Sequence, residues 1–251
     1  MSEPATQLLQ TIALLGLGLP VGGLLVLTAR ALASRAEPPS GAVGEKAPLA
    51  GLIPLVGPLI LLGSGASSDT WRRAAASQAV CATVGAWAGW GQGDLALAVT
   101  TACLGWHLAL VALIDARHYW LPDALTLPLL AAGLGASLLL DRTPWPLAIA
   151  GVVLGGLGLW GIGFVYRRVR GRQGLGGGDP ILLAAIGAWV GATGLPSVLL
   201  WASAAGLSVV LAKLATGERP AGDDRLPFGV YLAIGGWMTW LYGPIGLGAA
   251  F

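Results

Sequence analysis

The sequence predicts an all-α fold, a polytopic membrane protein with about eight transmembrane helices, and three observations carry that expectation. Hydrophobic residues make up 55% of the 251 and charged residues only 10%, with a mean hydropathy of +0.76, which excludes an ordinary soluble domain. The apolar residues gather into runs near the roughly 17 to 25 residues that a helix needs to cross a bilayer. The chain also carries 40 glycines and 11 tryptophans; small residues let membrane helices approach closely, and Trp favours the interface with water. A net charge of +2 is too small to point to nucleic acid, and the lipid bilayer is the expected environment.

The first run covers 7–32. Glu3 is the only charge ahead of it, and Arg30 and Arg35 lie at its far end. A secretory signal carries its positive charge in front, so this run reads as a retained anchor. The stretch "APLAGLIPLVGPLILLGSG", 47–65, contains three prolines and is too interrupted for a span; it reads as re-entrant or interfacial. Further spans are expected at 74–91, 94–114, 124–140, 145–166, 180–194, 196–215 and 228–250. The span at 180–194 is the shortest.

The basic residues supply the orientation. With eight spans, every one of the 14 Lys and Arg residues except Arg142 falls on one side. Positively charged short loops stay in the cytoplasm, so both termini are expected outside it. One miscounted helix would scramble every later loop. "YRRVRGR", 166–172, is this orientation signal.

Cys81 and Cys103 lie in apolar segments without a partner pattern, so they are expected to be small buried side chains, with neither a disulfide nor a metal site. His107 and His118 form no site with a nearby Cys or Ser; they read as a packed and an interfacial residue. The tryptophans, among them Trp106, Trp120, Trp189, Trp237 and Trp240, read as anchors or packing.

Most acidic residues fall in loops where water can reach them, but two do not. Asp115 closes the third span in "LALVALIDARHYWLPD", and Asp179 opens the sixth in "GLGGGDPILLAA". Both lie at the cytoplasmic edge, separated by 179 − 115 = 64 residues, which carries the chain out through two spans and back, so they can face one another. A carboxylate at membrane depth needs a structural or a chemical reason. For Asp179 the structural alternative is an N-cap with Pro180 at the first helical position. For Asp115 it is an interfacial charge beside Arg117, and Asp123 reads as the N-cap of the fourth span. If the two meet, they can act as the acid and base of aspartic proteolysis. Their helix ends suggest Asp179 as base, at an N-terminus that favours charge, and Asp115 as acid, at a C-terminus that does not. Gly176, Gly177 and Gly178 let the loop approach an extended substrate backbone. No Lys-Ser/Thr follows them, which argues against a nucleotide loop.

At these residues the chain resembles the type IV prepilin peptidases, membrane aspartyl proteases of the GxGD type. "GLGGGDPILLAAIGAWVG" is similar to their second catalytic motif, "ALIDARHYWLPDALTLPLL" to their first, and "LPFGVYLAIGGW" to the opening of their last helix. The resemblance runs from about Ala88 to the C-terminus. It implies a peptidase membrane domain at 88–251, preceded at 1–87 by an anchor, a degenerate cytoplasmic loop and a second helix. It also implies Asp115 and Asp179 as the catalytic pair and prepilin or pseudopilin substrates of type IV pili or type II secretion. Cleavage of their short basic leader after a glycine would occur at the cytoplasmic face of the bacterial inner membrane, with no cofactor.

The chain departs from the family pattern at Ile181, where a lysine is usual, and at Gln173, where "QGLG" replaces "EGMG". It has no loop cysteines and no Asn-containing motif near the end of the first span, so it resembles a short form without the zinc and methyltransferase elements. Two other functions are carried forward: a catalytically degenerate homologue serving a secretion or pilus assembly system, and a proton-coupled transporter. The transporter reading is disfavoured because both aspartates lie at one membrane edge rather than at the midplane.

Overall fold

A computed structural model describes residues 3–36, 68–140, 142–171, 175–217 and 226–245. The stretch 47–65 and Gln173 lie outside the described residues. Among them every regular element is a helix: α1 (Glu3–Ala36), α2 (Ser68–Gly91), α3 (Leu95–His118), α4 (Asp123–Leu139), α5 (Trp145–Arg170), α6 (Asp179–Ala215) and α7 (Phe228–Tyr242). This agrees with the all-α expectation. Four of these helices are long and apolar enough to cross a membrane, namely the Pro4–Val26 part of α1, then α3, α5 and α6, and α4 is a shorter apolar helix. The count of eight spans goes beyond that and rests on the sequence.

The helices form two compact units, Met1–Leu110 and Val111–Phe251, divided inside α3. In the first, α1 and α2 run antiparallel with glycines where their backbones touch. A Cβ on Gly18 would strike Cys81, one on Gly22 would strike Gln78, and one on Gly85 would strike Leu14. Close approach replaces the hydrophobic drive that lipid removes. Two side chains bridge backbones here: the Ser77 hydroxyl donates to the Gly22 carbonyl at 2.7 Å, and Trp106 Nε1 donates to the Cys81 carbonyl at 2.8 Å. Trp106 packs against Leu14, Ala88, Ala98 and Ala102. Cys81 is buried as expected, but Cys103 is exposed. Hydropathy does not separate the face of an apolar helix that meets protein from the face that meets lipid.

The second unit is built around the first arm of α6. Every residue from Leu182 to Gly191 is buried, the mark of a helix apolar on all sides. Helix α5 packs antiparallel on it, with Gly151 against the Gly187 backbone and Gly155 against Leu183. Gly133 of α4 faces Ala188 and Trp189, and Gly236 of α7 faces Ile186. The arm ends at Gly191, whose φ of 71° and ψ of 173° break the helix. The break between the expected sixth and seventh spans therefore falls at Gly191 rather than near 195, and Pro196 sits in the first turns of the second arm, where a missing N–H is tolerated.

Breaking the helix frees the Trp189 carbonyl, and the α4–α5 loop satisfies it: the Thr143 hydroxyl donates to it at 2.7 Å. Next to Thr143, Arg142 donates to the Trp240 carbonyl near the end of α7 and lies 4.4 Å from the centre of the Trp240 ring. Trp189 and Trp240 meet edge to face at 5.5 Å, and Trp189 Nε1 donates to the Leu129 carbonyl at 2.9 Å. These two tryptophans are packing residues, not interface anchors.

At Gly191, φ and ψ lie in a region essentially reserved for glycine, so Gly191→Ala is expected to destabilise the protein by about 1–3 kcal/mol. Gly158→Ala, where a Cβ meets nothing within 4 Å, is expected to be neutral or slightly stabilising. Thermal unfolding of the two variants in the same detergent checks the contrast.

Candidate active site

Asp115 stands in the last turn of α3, one turn before the helix ends at His118. The next residue, Tyr119, takes a left-handed φ of 51° and donates its N–H to the Asp115 carbonyl at 2.9 Å. That turn reverses the chain into Leu121, Pro122 and α4. The Asp115 carboxylate points away from its own helix: Oδ2 accepts the Val230 N–H at 3.1 Å, and the Gly229 amide also bonds to this carboxyl. Both donors belong to the first turn of α7, whose amides have no partner within the helix. Asp115 is thus the capping acceptor of a helix that begins 113 residues later (228 − 115), not an interfacial charge paired locally.

Asp179 is the first residue of α6, and Gly178 holds the N-cap position without any side-chain cap bond. The structural alternative, Asp179 as N-cap, is therefore not what the helix shows. Its Oδ2 accepts the Gly176 N–H at 3.0 Å, while its own N–H donates to the Gly176 carbonyl at 3.4 Å. The carboxylate closes the glycine loop instead of capping the helix. Asp123 is corrected in the same way: Pro122 precedes α4 without a side-chain cap bond, and Asp123 is an exposed first-turn residue. Asp94 does cap its own following helix from its side chain: its Oδ2 accepts the Leu97 N–H at 3.0 Å at the start of α3.

Asp115 and Asp179 are each 5% exposed, and they are the only buried carboxylates among the described residues. They lie within electrostatic reach of each other. Between the backbones that hold them sits Leu121, 6% exposed. A Cβ on Gly178 would lie 2.7 Å from Leu121 Cβ, and one on Gly229 would lie 3.1 Å from Leu121 Cδ1 and 2.8 Å from Asp115 Oδ2. Gly176 is crowded only by the Asp179 carboxylate, at 2.9 Å, and Gly177 has open space around it. Of the three glycines, then, Gly178 is fixed by packing, Gly176 by its bond to Asp179, and Gly177 by neither.

Sequence reasoning missed Leu121 and Gly229. The signal for Gly229 was present, a glycine two positions after Pro227 at a helix start, but its partner lay in a distant segment. The division of roles by helix ends also fails. Asp115 is at the C-terminus of α3 and simultaneously accepts from the first-turn amides of α7, while Asp179 accepts from the loop amide of Gly176, so the helix each residue belongs to does not separate the two carboxylates. Two buried carboxyls that interact electrostatically titrate as a pair rather than as separate groups.

Fold and site together define an all-helical membrane protein with a pair of buried aspartates where three helices begin or end. The type IV leader peptidase family matches residues 102–211, a range that contains both aspartates. The prepilin leader peptidase/N-methyltransferase of Pseudomonas aeruginosa is 37% identical over 195 residues, 76% of this chain and 66% of the relative. That of Burkholderia pseudomallei is 39% identical over 186 residues, 74% of this chain and 54% of the relative. That of Dichelobacter nodosus is 43% identical over 138 residues, 55% of this chain and 46% of the relative. The chain belongs to the type IV leader peptidase family. It spans between 46% and 66% of the length of these relatives. No solved structure matches it.

Removing a cap acceptor typically costs about 1 kcal/mol. Asp115→Ala is therefore expected to speed amide hydrogen exchange at Gly229 and Val230 about fivefold, the factor that 1 kcal/mol represents, while Asp115→Asn, which keeps a carbonyl oxygen, preserves most of the protection. Exchange resolved to peptides that begin no later than Pro227 reads this directly.

Proposed function

We propose that this protein is a membrane aspartyl endopeptidase that removes the N-terminal leader of prepilin-like substrates, with Asp115 and Asp179 as its catalytic pair. The observation that carries this reading is a pair of buried carboxyls, remote in sequence but within electrostatic reach of each other, each already held by backbone N–H donors. Family membership supplies the substrate class. The peptidase domain covers 88–251 and the pair faces the cytoplasm in an eight-span topology, with both termini outside and the protein in the bacterial inner membrane. The support for that orientation is the gathering of all basic residues except Arg142 on one side.

In the reaction, one carboxylate takes a proton from water as the water oxygen bonds to the scissile carbonyl carbon. The other, protonated, gives its proton to the carbonyl oxygen. As the diol collapses, one hydroxyl returns its proton to the second carboxylate and the carbonyl re-forms, the C–N bond breaks, and the amine leaves with the proton held by the first carboxyl. Burial strengthens both interactions by excluding competing water. The open space at Gly177 and the exposure of Gly176 suit an extended leader lying against this loop. N-methylation is not part of the proposal, because the chain lacks the cysteine-rich elements of the longer form.

Co-expression in membranes with prepilin and pseudopilin substrates tests the proposal. Wild type is expected to release the leader, and Asp115→Asn and Asp179→Asn each to lose at least 10²–10⁴-fold of the rate, the contribution of positioned acid–base groups. Gly229→Ala, which crowds the Asp115 carboxylate, is expected to lower cleavage without removing either acid. If no authentic partner substrate is processed, the protein is instead a non-catalytic component of an assembly system, the reading that Ile181 and Gln173 favour.

A further inference from the structure

In the segment between Asp115 and α4, the Leu121 side chain lies against the backbones at both acidic centres. Tyr119 spends a left-handed φ of 51°, uncommon for a bulky residue, on a turn that sends Trp120 outward, 44% exposed, and Leu121 inward, 6% exposed. Leu121 then touches two backbones at once. Its Cβ and carbonyl oxygen lie 2.7 and 3.2 Å from where a Cβ of Gly178 would stand, and its Cδ1 lies 3.1 Å from the corresponding point on Gly229. Gly178 is bonded in sequence to Asp179, and Gly229 bonds to the Asp115 carboxyl through its amide. No side chain intervenes on the glycine side of either contact.

We propose that Leu121 is a positioning residue, a spacer whose volume sets the separation of the Asp115 and Asp179 carboxyls by holding the start of α6 apart from the start of α7. It touches neither the reacting atoms nor substrate in this assignment, and it acts through the two backbones it wedges. A pair that shares a proton is sensitive to distance, and a misplacement of about 1 Å can cost on the order of 10²-fold in rate. An interior packed to crystal density transmits a change of a few atoms instead of absorbing it.

The size of residue 121 therefore matters in both directions. Leu121→Ala leaves the spacing undefined, Leu121→Phe forces it wider, and Leu121→Met, which conserves volume, keeps it. The kinetic consequence rests on the peptidase reading given above, but the spacing itself does not.

Two measurements keep these apart. The first needs no activity: in a Cys81→Ala, Cys103→Ala background with Asp115→Cys and Asp179→Cys, full-length protein in membranes is cross-linked with bis-methanethiosulfonate reagents of graded spacer length. With Leu121 or Leu121→Met one spacer length is expected to dominate, with Leu121→Phe a longer one, and with Leu121→Ala no single length. The second is leader cleavage with both aspartates present. Leu121→Ala and Leu121→Phe are expected to lower kcat at least about tenfold with KM changed less than about twofold, and Leu121→Met to restore kcat. An unchanged cross-linking pattern across all three substitutions overturns the proposal. A changed pattern in a protein whose wild type cleaves nothing upholds the spacer and removes only the peptidase reading.

Discussion

A carboxylate taken out of water must be met by donors, and in this protein the donors are the backbone amides of Gly176, Gly229 and Val230. Burying an unpaired charge is far more costly than any packing gain around it, so the positions of Asp115 and Asp179 are set by where free N–H groups exist. Such groups exist at helix starts. Asp115 uses the first turn of α7 and Asp179 uses the loop that leads into α6. In both cases the approach is close enough that a Cβ on the glycine would fall within 3 Å of the carboxylate oxygen. The glycines at 176 and 229 are therefore part of the acidic centre as much as the acids are.

That constraint organises the second unit. Because α7 must present its N-terminus to Asp115 while α6 presents its own beside Asp179, both helices are held from their far ends as well. There the α4–α5 loop supplies Thr143 to the carbonyl released by the Gly191 break and Arg142 to the carbonyl of Trp240. The break and the loop are complementary: a straight α6 would leave Thr143 without that acceptor, and without Thr143 the break would leave a buried carbonyl unmet, a loss of about 1–3 kcal/mol. The buried first arm of α6 then serves as the axis against which α4, α5 and α7 pack through Gly133, Gly151 and Gly236.

Much of this was legible in the sequence, for reasons particular to each feature. The helices were legible because apolar runs in a membrane protein have to satisfy their own backbone. The two aspartates were legible because a charge at the end of an apolar run is expensive, and the glycines at 176–178 because nothing else explains three in a row beside a helix start. The details that failed are those in which a local rule competed with a distant partner. Asp179 and Asp123 both sit in sequences that read as N-caps, yet neither caps its helix. Cys103 sits in a run as apolar as that of Cys81 but faces outward. The contrast between Asp115 as acid and Asp179 as base came from counting only each residue's own helix.

The sequence by itself determined that the chain is helical and built for a membrane, and that Asp115 and Asp179 are its two anomalous carboxylates, because composition and local cost are properties of the chain alone. Only the tertiary structure decided that Asp115 caps α7, that α6 breaks at Gly191, and that Leu121 stands between the two centres. Each of those depends on which backbone comes within about 3 Å of which side chain, and that distance is fixed by helices packing against one another across a hundred residues of chain, where no local periodicity records it.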